Sequence, residues 1–149
     1  MGLDMYLDKE VYVGGNFEHR EVKGVVDISI RGKKHNIPLN KISTISLRAG
    51  YWRKANHIHN WFVDNVQNGV DECQKSWVTL EQLTELKGVC ERVLKNRELA
   101  GELLPTIGGF FFGSTEYDKY YFDDIKDTIK IINECLKDNS GDYYYQSSW

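Results

Sequence analysis

No run of eighteen apolar residues occurs anywhere in the chain, so a membrane-spanning helix is not expected. Excess positive charge is missing too. Lys and Arg total 19 against 22 Asp and Glu, a net charge of −3 with a pI near 5.8. That balance removes the basic field that recruits duplex nucleic acid. Cysteine is scarce: Cys73, Cys90 and Cys135 are odd in number, widely spaced and form no C-x-x-C pair. This usage fits a reducing compartment and argues against a structural zinc site. The opening Met-Gly-Leu-Asp-Met-Tyr-Leu has neither the basic start nor the long apolar run of a secretion signal. Tyr6 stands where a myristoylation motif on Gly2 needs Ser or Thr. No Walker loop, G-x-G-x-x-G fingerprint, internal repeat or linker is present. The expectation is a cytoplasmic single domain, residues 1–149, long enough to bury a core without metal, cofactor or disulfide.

What is present centres on Tyr51-Trp-Arg-Lys-Ala-Asn-His-Ile-His-Asn-Trp-Phe62, where two tryptophans, two cations, two histidines and two asparagines share twelve helix-compatible residues. At 100° per residue, Tyr51, Trp52, Ala55, Ile58, His59, Phe62, Val63 and Val66 fall in one broad apolar sector. Arg53, His57, Asn60 and Asp64 fall opposite, leaving Asn56 and His59 as polar intruders on the core side. A buried polar side chain without a partner costs on the order of 1–3 kcal/mol, so each must find a neighbour, a water or a ligand. In the bland reading His59 is a satisfied core histidine and Asn56 ties down a neighbouring strand. The functional reading adds Arg53 and Lys54 at the start of the helix, where free N–H groups favour an anion.

Along the chain, residues 2–13 read as a strand, followed by a turn at Gly14-Gly15-Asn16 and a charged loop to Glu21. Residues 22–30 and 34–39 flank Gly32-Lys33 as a hairpin, and a third strand covers 42–47, together a β-meander. A helix over 51–66 ends at Asn68-Gly69, residues 71–77 connect, and Thr79-Leu-Glu-Gln82 opens a second helix as a capping box. Residues 98–104 add a short helical turn before Pro105. Phe110 to Phe112 read as a buried strand, and Gly113-Ser114-Thr115 as the turn into a third long helix whose first turn carries Glu116 and Asp118. Asp123 and Asp124 read as a solvated face. The aromatic tail, residues 142–149, is expected to pair into the sheet near the first strand. The fold class is therefore α+β: an antiparallel sheet of the amino-terminal meander, a 110–112 strand and the carboxyl-terminal strand, packed against about three helices.

The candidate ligand-binding residues are Tyr51, Trp52, Arg53, Lys54, Asn56 and His59 from the first stretch, and Gly113, Ser114, Thr115, Tyr117 and Asp118 from the second. Ser147, Ser148 and Trp149 join them from the tail. No catalytic or metal set emerges. His57 and His59 diverge by about 200° on one helix and cannot share a metal.

The marks Met-Gly-Leu-Asp-Met-Tyr-Leu at 1–7, Tyr-Trp-Arg-Lys-Ala-Asn at 51–56 with Ile58-His59 and Trp61-Phe62-Val63, Leu104-Pro105, Gly-Gly-Phe-Phe-Phe-Gly-Ser-Thr-Glu-Tyr-Asp at 108–118 and Tyr144-Tyr145-Gln146-Ser147-Ser148-Trp149 together resemble a family of small uncharacterised bacteriophage and prophage proteins. The resemblance implies a phage-encoded accessory protein in the host cytoplasm and supplies no catalytic residue. It raises the expectation of an anti-defence role, sequestering a small phosphorylated or nucleotide-derived signal through cations, aromatic faces and amides. An enzyme hydrolysing a phosphate or glycosidic bond of such a ligand, with His59 as base and Asp118 orienting it, is the first alternative. A protein-binding inhibitor is the second, and self-association fits the aromatic content.

Overall fold

The computed structural model describes residues 2–14, 19 and 24–149. Among these, the elements are β1 Asp4–Tyr12, β2 Val25–Ile30, β3 Lys33–Pro38, β4 Thr44–Arg53, α1 Asn56–Asn65, β5 Ser76–Val78, α2 Leu80–Lys95, α3 Ala100–Leu103, α4 Lys119–Leu136 and β6 Asp142–Ser148. The fold is α+β, with an antiparallel sheet in the order β4-β1-β6-β5 and a separate ribbon of β2 and β3. The chain divides into two compact units, one formed by residues up to Lys9 with Arg48–Trp149 and the other by Glu10–Leu47.

In the larger unit, β1 alternates with period two, so Leu3, Met5 and Leu7 are fully buried. Each such side chain contributes about 1.5–3 kcal/mol on burial. Opposite them β6 buries Tyr143, Tyr145 and Ser147 in alternation. The core lies against these strands, filled by Ile58 and Phe62 of α1, Leu83, Leu86, Cys90 and Val93 of α2, and Ile125 and Ile132 of α4. Helix α2 opens with the expected reciprocal cap: Gln82 N–H donates to Thr79 Oγ1 at 3.0 Å while Thr79 N–H donates to Gln82 Oε1 at 2.9 Å. Past α1, Asn68 and Gly69 adopt left-handed backbone, and Gly69 N–H returns to Val63 O at 2.8 Å. The tail pairs beside β1 as expected, with β5 on its other side. No helix among the described residues is long and apolar enough to cross a membrane.

In the smaller unit, β2 and β3 pair antiparallel from Val25↔Pro38 to Ile30↔Lys33 around Arg31-Gly32, both at positive φ. Gly15, Asn16, Val22 and most of the expected charged loop lie outside the described residues.

Four expectations are corrected. The meander is not continuous, because β2 and β3 pair only with each other while β4 joins β1. Residues 51–53 are the end of β4, not the start of a helix; Gly50 and Trp52 point inward while Tyr51 and Arg53 point out. Pairing with β1 outweighs the helical pattern here, and Lys54 N–H still donates to Leu3 O at 2.8 Å. Phe110 to Phe112 form a turn, not a buried strand, with Phe110 96% exposed. The edge strand β5 falls in residues expected to be a loop and its boundary; three residues are too few to show a period.

Candidate functional site

The site begins at the corner between β4 and α1. Lys54 sits there at φ 59°, a left-handed backbone unusual for a residue with a side chain. Its side-chain stem runs between two glycines: a methyl group added at Gly113 would meet Lys54 Cβ at 3.0 Å, and one at Gly2 would meet Cε at 3.1 Å. Gly113 is itself at φ 87°. Next in the chain, Ala55 caps α1 without a side-chain hydrogen bond; Ile58 N–H turns back to Ala55 O at 3.1 Å, while the N–H groups of Asn56 and His57 stand at the positive end of the helix dipole. Neither Arg53 nor Lys54 makes an ion pair or a side-chain hydrogen bond among the described residues.

These groups open onto a cleft of about 260 Å³. Arg53, Lys54, Gly113 and Ser114 line it together with the carboxylates of Glu116, Asp118 and Asp124. His57, Tyr120 and Tyr121 supply aromatic surface. Helix α4 places the acids: Asp118 is its N-cap, accepting from Tyr121 N–H at 3.1 Å, and Asp124 lies farther along it. Tyr120 is 77% exposed.

Two titrating groups of the cleft are strongly displaced. Burial, with Asp127, Asp123 and Asp118 nearby, pushes the Asp124 carboxyl up to about 7. Burial also holds His57 down to about 3, hence neutral. Its ring lies 4.1 Å from that of Tyr121, and its Nε2 is buried with no hydrogen-bond partner. His57 also lines a second cavity of about 200 Å³ shared with Asn60, Asp64 and Glu102. The sequence pattern placed His57 on a solvent side and Asp124 on a solvated face. Both assignments fail on packing: the Tyr121 ring of α4 covers His57, and Asp124 is half-buried on the same helix.

Asn56 and His59 stand inside the protein, each fully engaged. Asn56 Nδ2 donates to Phe112 O at 3.0 Å and to Ser114 O at 2.8 Å, while Oδ1 accepts from Ile107 N–H at 3.1 Å. It therefore fixes the loop that carries Gly113 and Ser114, where a strand was expected. His59, 0% exposed, joins Tyr145 Oη through Nδ1 at 2.7 Å and Asp71 Oδ2 through Nε2 at 3.0 Å. Its carboxylate partner is thus Asp71, which also accepts from Trp149 Nε1 at 3.2 Å. Both ring nitrogens of His59 are thus taken, so the His59–Asp118 acid–base pair does not form.

Of the residues singled out from sequence, the cleft brings together Arg53, Lys54, Gly113, Ser114 and Asp118. Trp52 is buried, donating to Thr128 Oγ1 at 2.8 Å. Tyr51 bonds Asp4 on the other face of the sheet. Thr115 O accepts from Thr106 Oγ1 at 2.8 Å, and Tyr117 packs edge-on against Tyr121. Ser147 is buried, Ser148 exposed, and Trp149 meets Phe112 at 5.9 Å; none of the three lines the cleft. Compared with known protein families, curated proteins and solved structures, the chain matches none. The described residues hold no group of three metal-ligating side chains.

Proposed function

We propose that the chain binds a small phosphorylated, nucleotide-like ligand in this cleft and holds it intact, as a sequestering protein of phage origin acting against a host signal would. The observation that carries the reading is the pair Arg53 and Lys54, neither in an ion pair among the described residues, set before the uncapped start of α1 with Lys54 held in left-handed backbone. Phosphate is the ligand group that such donors and charges suit.

Hydrolysis is less well supported, because the only buried histidine–carboxylate pair described, His59 with Asp71, has no exposed imidazole. Phe110, the most exposed large apolar side chain described, favours a protein partner as the second reading.

Native mass spectrometry after incubation with nucleoside monophosphates and ribose 5-phosphate tests the proposal. A one-to-one adduct released unchanged, and absent from the Arg53→Ala/Lys54→Ala double variant, is expected. Conversion of the ligand would replace sequestration by catalysis, and no adduct with any of them would sink the reading.

A further inference from the structure

Independently of the phosphate cleft, we infer that the second cavity lined by His57, about 200 Å³ between α1 and the residues around α3, binds a primary alkylamine as its ammonium cation. One stripe of α1 builds the first wall. His57, Asn60, Trp61 and Asp64 follow one another at helical spacing and so share a face. Glu102, Leu103, Leu104 and Pro105 make the other wall. Burial sorts these residues by depth: Leu104, His57 and Trp61 are 1%, 3% and 6% exposed, whereas Asp64 and Glu102 face solvent. The mouth therefore carries the carboxylates, and the deeper part is largely apolar.

The tautomer of His57 selects the ligand. Its Nε2 has no hydrogen-bond partner, so the bond that the ring makes to the Tyr121 backbone belongs to Nδ1. That bond favours the protonated nitrogen, which is the sense of an N–H donating to a carbonyl, while burial keeps the ring as a whole neutral. Nε2 is left as a lone-pair acceptor directed away from the Tyr121 backbone. A buried acceptor calls for a donor. Phosphate, itself an acceptor, cannot supply one, but an N–H group can. Asn60, Asp64 and Glu102 add further acceptors; none of the three makes a side-chain hydrogen bond or ion pair among the described residues, and no lysine or arginine lines the cavity. A metal ion would need three such ligands around one point, and no such trio exists among the described residues. An alkylammonium ion fits instead. Its N–H donors serve His57 Nε2 and Asn60, its charge lies in the field of Asp64 and Glu102, and its stem packs on Leu103, Leu104 and the Trp61 ring.

Titration of the full chain with butylammonium, tetramethylammonium and 1-butanol, followed by proton–nitrogen correlation spectra of the histidine rings at neutral pH, tests the assignment. Butylammonium should bind and move the Nε2 resonance of His57 as that atom gains a donor. Tetramethylammonium has the charge without an N–H, and 1-butanol has a donor without the charge; each should bind at least about tenfold more weakly. Asp64→Asn/Glu102→Gln should weaken butylammonium by about tenfold with the melting temperature unchanged, since both side chains are exposed. His57→Phe keeps a ring against Tyr121 and should abolish binding; should it fail to fold, the wild-type Nε2 resonance decides. Arg53→Ala/Lys54→Ala should bind butylammonium as wild type does, so loss of the phosphate reading leaves this site standing. Equal binding of the three probes, binding that leaves the Nε2 resonance unmoved, or no binding of butylammonium would each overturn the assignment.

Discussion

Asn56 shows how much one polar side chain can organise. Its amide makes three hydrogen bonds to the backbone of residues 107–114, so Asn56→Ala removes the partners of two groups on half-buried residues, Ile107 N–H and Phe112 O, and of one on the exposed Ser114. A loss of about 2–4 kcal/mol in unfolding free energy is expected from chemical denaturation, with ligand affinity falling because Gly113 and Ser114 lose their anchor. His57 and Asp124 set the pH dependence, with opposite signs. The His57 pKa is lowered from the ordinary 6.5 to about 3, so the unfolded chain takes up a proton that the native one refuses. Stability from this group is complete above pH 6.5 and falls on acidification, by about 2 kcal/mol at pH 5. The Asp124 pKa is raised from 3.8 to about 7, so its native form retains a proton that the unfolded chain loses. Its contribution is complete below 3.8 and is lost as pH rises to 7. The two trends offset between pH 4 and 6.5. In Asp124→Asn only the histidine trend remains, and the urea midpoint of this variant should drop more steeply from pH 6.5 to 5 than that of wild type.

At the scale of elements, the β4–α1 corner trades stability for a placed cation. Left-handed backbone at a residue with a side chain costs about 1 kcal/mol or more. Lys54→Gly should therefore leave the melting temperature unchanged or raise it, while ligand binding is lost; a fall in melting temperature would mean that the lysine stem contributes more by packing than its backbone costs. Periodicity revealed the regular parts of these elements well. The stripe of α2, its Thr79–Gln82 cap and the alternating tail follow from spacing and turn chemistry that act within a few residues, whereas the hairpin turn falls at Arg31-Gly32, one residue before the expected Gly32-Lys33. The β4–α1 boundary did not, because Tyr51-Trp52-Arg53 fits a helical wheel and a strand equally well, and only pairing with β1 selects the strand. The 110–112 segment misled for the same reason: three phenylalanines in a row read as buried until the loop is seen to be held by Asn56 from the side, leaving Phe110 in water.

For the whole molecule, the two compact units differ in how much they bury. The larger contains the entire described core cluster, whereas the β2–β3 ribbon leaves Val25, Ile28 and Ile30 exposed. Two-stranded ribbons are marginal in water, so hydrogen exchange should be slowest in β1, β6 and α4 and fast across β2 and β3. Uniform protection over both units would contradict this. The sequence by itself determined the fold class, the buried stripes, most caps and turns, and the two stretches that meet at the cleft, because these depend on the chemistry of near neighbours. It also marked Asn56 and His59 as residues requiring partners. Which partners they take, Phe112 and Ser114 for one and Tyr145 and Asp71 for the other, only the tertiary structure decided. The same holds for the burial of His57 and Asp124, the first cause of both altered acidities, whereas the further rise at Asp124 comes from its sequence neighbours Asp127, Asp123 and Asp118.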